Sequence, residues 1–143
     1  MNQEDIIKIA NVNNHINAIN KLNQGFIEHV RDSPQPDNIP SQLKIDGQKI
    51  VISCFGYTAE ASSRIVKNKD DSLSVEYIFI VKLGEETFEV WRFYLTSSGR
   101  IALGLDTEAT ACDYNNDKVV NYLCSELLIG ALESPLFSPT PKI

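Results

Sequence analysis

The sequence predicts an α+β domain built from a long N-terminal helix, a five-stranded antiparallel meander sheet and a C-terminal helix. Three observations carry that prediction. Apolar residues recur at helical spacing before residue 31 and again after residue 116. Between these segments the chain turns to runs rich in β-branched and aromatic residues. Short polar turns join those runs, and short connections pair neighbouring strands antiparallel.

The first helix is expected over residues 3–31. Ile9, Val12, Ile16, Ile19, Phe26 and Val30 fall along one stripe of a 3.6-residue helix, and Leu22 and Ile27 widen it. Asparagine is a poor helix former and this segment is rich in it, so burial of the stripe must hold the helix. Gly25 is a weak point inside it. Pro34, Pro36 and Pro40 end it, because proline lacks the amide donor and restricts the residue before it.

Strands follow. Asp46-Gly47 marks a tight hairpin between residues 43–45 and 50–52. The second of these strands is expected to run on through Phe55, Tyr57, Ala59 and Ala61 to about Val66. The stretch 58–66 would also suit a short helix; strand is preferred. Residues 73–83 and 87–95 are the clearest strands, turned at Gly84-Glu85-Glu86, and Ser97-Ser98-Gly99 leads into 101–105. A loop over 106–116 precedes the second helix, expected over 116–132. Its apolar face is Val119, Val120, Leu123, Cys124, Leu127 and Ala131. Residues 1–133 then form a single domain, and 134–143, with Pro135, Pro139 and Pro141, a flexible tail.

The formal net charge is −6 over 143 residues. Such a chain repels phosphate backbones and anionic lipid heads, so neither nucleic acid nor membrane is an expected partner. The start is polar and acidic, unlike a secretory leader, and no apolar run is long enough to cross a bilayer. Three cysteines at irregular spacing read as reduced thiols, which places the protein in the cytoplasm.

No residue pattern announces chemistry. His15 and His29 are fourteen residues apart, about 21 Å along a helix, too far to share one metal ion. They read as boundary histidines. Cys54, Cys112 and Cys124 have no C-x-x-C spacing, and no glycine-rich loop precedes a helix. No catalytic residue, metal ligand or cofactor is expected. Asp106, Glu108 and Asp113 gather in one loop without EF-hand spacing, and read as a solvated acidic rim able to steer a basic partner. Trp91, Arg92 and Tyr94 are candidates for an interface hot spot, although core packing with a snorkelling arginine accounts for the same residues.

The central strands carry the functional inference. Val75, Tyr77, Phe79 and Val81 alternate with Ile78 and Ile80. In the next strand Phe88, Val90 and Tyr94 alternate with Trp91, Phe93 and Leu95. Both faces are apolar at mid-strand, and two helices cover about one of them. Curvature, a twofold partner or another protein must close the second. The expectation is a non-enzymatic cytoplasmic protein-binding module that masks or neutralises a basic protein partner. Size and charge alone compare it with immunity proteins and secretion chaperones. One alternative is a small-ligand protein or enzyme with a pocket between curved sheet and helices, lined by Tyr57, Tyr77, Trp91 and Tyr94 with Arg92 or His29. Another is a homodimer through the sheet face. If the rim steers, neutralising Asp106, Glu108 and Asp113 together slows association with a basic partner more than it speeds dissociation, and stopped-flow kinetics show the effect shrinking as salt rises.

Overall fold

A computed structural model of the chain describes residues 2–104 and 110–139. Helix α1 (Gln3–Asp32) runs one residue past its expected end. Asn2 caps it, its side-chain oxygen accepting from the Asp5 amide at 2.9 Å, and Glu4 and Asp5 complement the positive end of the helix. Only the second half packs. Ile19, Phe26, Ile27 and Val30 are buried, whereas every residue from 2 to 15 is exposed.

Among the described residues the sheet has seven strands, not five. β1 (Ser41–Asp46), β2 (Lys49–Cys54), β3 (Tyr57–Lys67), β4 (Leu73–Leu83), β5 (Glu86–Thr96), β6 (Arg100–Ala102) and β7 (Thr110–Asp113) pair in chain order, each antiparallel to the next. Two features raise the count. The single long strand expected from residue 50 to 66 is broken by a two-residue turn at Phe55-Gly56, with Cys54 opposite Tyr57. Both turn residues have positive φ, 51° and 80°. Glycine adopts that conformation freely and phenylalanine rarely does, which is why the turn carries no ordinary signature. The Phe55 ring is met edge-on by Phe137 at 5.3 Å. The second addition is β7, inside the segment expected to be loop. Residues 58–66 are strand.

Helix α2 (Val119–Glu133) starts three residues later than expected. The Asn116 side chain instead accepts the Lys118 amide at 2.8 Å, holding the preceding turn. Beyond α2 the chain makes a 3-10 turn over Pro135–Phe137, whose Leu136 and Phe137 pack against the core.

Both helices lie on one face of the sheet. Val75, Tyr77, Phe79 and Val81 of β4 and Phe93 and Leu95 of β5 share the buried cluster with the apolar sides of α1 and α2. A bulge decides the rest. Phe79 faces Trp91 while Ile80 faces Glu89, so Val90 is an extra residue in β5. Phe88 therefore lies opposite Val81 on the helix side, not with Tyr94 as simple alternation predicts. At the bulge α2 comes closest. A Cβ on Gly130 would meet the Val90 carbonyl oxygen at 2.8 Å and Trp91 Cδ1 at 2.9 Å.

This close approach opposes helix propensity. Gly130→Ala gains about 1 kcal/mol from propensity, but forcing a methyl group against backbone costs about 1–3 kcal/mol. Urea denaturation is expected to show a net loss of stability, whereas the same change at an open helical glycine would stabilise.

Candidate functional site

The face without helices holds the most structured polar cluster of the protein. Its centre is Glu76, on β4, only 3% exposed although it points away from the main core. The strand neighbours are valine, tyrosine, isoleucine and phenylalanine, so a carboxylate here needs partners supplied across the sheet. β3 places Arg64 directly opposite, and β5 places Tyr94 directly opposite on the other side. Arg64 Nε donates to Glu76 Oε1 at 2.9 Å, and the Tyr94 hydroxyl donates to Oε2 at 3.0 Å. Arg92 Nη1 stands 3.8 Å from the same Oε2. Arg92 in turn grips Glu89 with two donors, Nε and Nη2, the second at 2.8 Å. Two guanidinium groups and two carboxylates thus neutralise one another.

Burial by itself would push the Glu76 carboxyl up. The hydrogen bonds from Arg64 and Tyr94 and the charges of Arg64 and Arg92 outweigh it, and the group titrates below the ordinary glutamate range. Glu89 is lowered chiefly by its hydrogen bonds to Arg92. Both are firm carboxylates at neutral pH. Beside the cluster, Ile78 and Ile80 are half-buried, Ile78 facing Ser62 and Arg92, Ile80 facing Glu60 and Glu89. An open groove of about 810 Å³ crosses β2, β3 and β4, lined by Lys49, Glu60, Ser62 and Ile80 and, from the helix side, by Ile50 and Tyr77 among others.

The six residues singled out in the sequence do not form one patch. Arg92 and Tyr94 join Glu76. Trp91 points to the opposite side, half-buried, its ring 5.5 Å from Phe93 and 6.4 Å from Phe79. Asp113 is on β7, paired with Arg100 at 2.8 Å. Asp106 and Glu108 lie outside the described residues. The residues proposed for a pocket between sheet and helices are dispersed. Tyr77 is buried and stacked on Phe93 at 4.8 Å, Tyr57 packs against Phe137, and His29 Nε2 is 2.9 Å from the Asn116 carbonyl oxygen.

Burial raises the thiol pKa of Cys54, Cys112 and Cys124, so all three are protonated at neutral pH. Among the described residues, no group of three or more histidine, cysteine or carboxylate side chains could hold a metal ion. No helix there is long and apolar enough to cross a membrane. Sequence reasoning passed over Glu76, Arg64 and Glu89. The available signal was Glu76 itself, a lone acid inside an apolar strand. Searches of protein-family models, curated proteins and solved structures find no match to this chain.

The lowered Glu76 pKa fixes the sign of a pH effect. Its contribution to stability is complete above the ordinary glutamate value of 4.5 and is lost as pH falls through the lower folded value. Glu76→Gln is expected to cost about 1–3 kcal/mol at neutral pH, and to flatten the loss of stability below pH 4.5, read from denaturation curves across acidic pH.

Proposed function

We propose that this protein is a non-enzymatic, cytoplasmic protein-binding module that takes a basic protein partner on the helix-free sheet face. Such a role fits masking or neutralising a client, in the manner of immunity proteins or chaperones. One observation carries the reading. Ile78 and Ile80 stay half-exposed at the middle of a face on which Arg64 is already paired with Glu76 and Arg92 with Glu89. Those pairs hold their side chains in place before any partner arrives, which lowers the ordering cost of association. Arginine and tyrosine beside an apolar centre are the residue types that dominate binding energy. The net charge of −6 favours a basic partner and speeds its approach.

A second reading rests on the groove over β2 to β4. Its volume of about 810 Å³ lies in the range of small-ligand sites, and a metabolite that raises the melting temperature of the purified protein would favour it.

Binding is tested at Ile80. Lysine there has Glu60 and Glu89 directly opposite on its two neighbours, so the folded chain tolerates it. Against a basic partner purified from the native cell and reconstituted with this chain, Ile80→Lys is expected to weaken affinity by at least about tenfold with an unchanged melting temperature. Unchanged affinity in that variant would remove the sheet face from the interface.

A further inference from the structure

The N-terminal half of α1 is an arm. From residue 2 to residue 15 every side chain is exposed, a stretch of about 20 Å with no packing of its own. A solvated helix of this length, rich in asparagine, is marginal alone. Its surface is nevertheless apolar along one side. Ile9 and Val12, on that side, are about half exposed, at 49% and 52%. Ile9, Val12 and Ile16 continue the stripe that Ile19, Phe26 and Val30 bury in the core. The seam that seats α1 on the sheet therefore extends past the sheet and is left uncovered, which is the pattern of an interaction surface.

We infer that the arm pairs with the same arm of a second copy, the two helices running antiparallel about a twofold axis. The first support is spacing. Ile9, Val12, Ile16 and Ile19 are separated by three, four and three residues, a pattern that reads the same in both directions. An antiparallel copy then sets Val12 against Ile16, with the reciprocal contact across the axis, and brings Ile9 level with Ile19, which the chain's own core already covers. The second support is shape. Where Ile19 enters the core there is a recess of about 230 Å³ lined by His15, Ala18, Ile19, Leu22 and Leu73 together with Ser72 and Ser97. In the antiparallel pair Ile9 of the second copy falls at this level. The third is charge. The whole chain is at −6, whereas the arm carries only Glu4, Asp5 and Lys8, a net charge of −1. On an acidic protein this low charge lets two copies meet with little repulsion. The acidic end of one arm also lies toward the Lys21 end of the other, with helix dipoles opposed.

The test is sedimentation velocity on the full chain across the micromolar range. The wild type is expected to be dimeric. Ile9→Asp with Val12→Asp changes only exposed positions, so melting and helical circular dichroism check that the fold is kept while dimerisation weakens by at least about tenfold. Asn14→Asp, on the other side of the same helix, is expected to leave the dimer intact. A wild-type chain that stays monomeric would show that something other than a second copy covers the arm. A dimer that survives the double substitution would place the contact elsewhere, on the sheet face for example. Equal weakening by Asn14→Asp would remove the apolar seam from the interface. Each of these three results overturns the proposal.

Discussion

The seat of Phe26 governs the arrangement of the whole molecule. Its ring has no exposed surface and meets Tyr77 and Phe93 edge-on at 5.8 and 5.9 Å, while those two rings stack at 4.8 Å. Aromatic groups bury more apolar area than any other side chains and add a geometric preference of their own. Once Phe26 is fixed, the rotation and the position of α1 along the sheet are fixed with it. Ile19, Ile27 and Val30 follow into the core. Asn23 accepts the hydroxyl of Tyr77, a phenol that burial keeps protonated. Residues before Ile16 then have no sheet beneath them, and the arm is the consequence.

The same two strands write the second face. Side chains alternate across a strand, so placing Tyr77 and Phe93 toward the helices puts Glu76, Arg92 and Tyr94 on the other side. Desolvating Glu76 is costly, and the arginine and tyrosine contacts offset that cost without a large surplus. An apolar group in its place could be as stable. What the network supplies is fixed positions for two guanidinium groups and a phenol around a half-open apolar centre. The proposed partner-binding face would use those fixed positions.

The arm and the sheet face serve the two proposed contacts without competing. α1 packs on one side of the sheet, and the Glu76 cluster occupies the other. A dimer joined through its arms would present two copies of the sheet face, so a partner with repeated sites would be held more tightly than one copy can hold it. The charge distribution agrees with this division, since the arm carries only −1 of the net −6 and the rest of the chain carries the remainder.

Both helices, the hairpins at Gly47 and Gly84 and the long strands β4 and β5 were legible in the residues, because each is written in a periodicity sustained over many positions. The Phe55-Gly56 turn was not. It rests on a phenylalanine at positive φ, a conformation that residue type does not announce. The bulge at Val90 was also hidden, since alternation cannot show where one strand gains a residue on its neighbour, and that residue moves Phe88 to the helix side. Of the site, Arg92 and Tyr94 stood out by residue type, while Arg64 and Glu89 did not. The sequence by itself determined which segments are helix and strand and which side chains seek burial, because those are properties of neighbours along the chain. Register decided which of them share a face, which charges meet and how much of the apolar stripe stays uncovered, because cross-strand contacts join residues that local pattern cannot align.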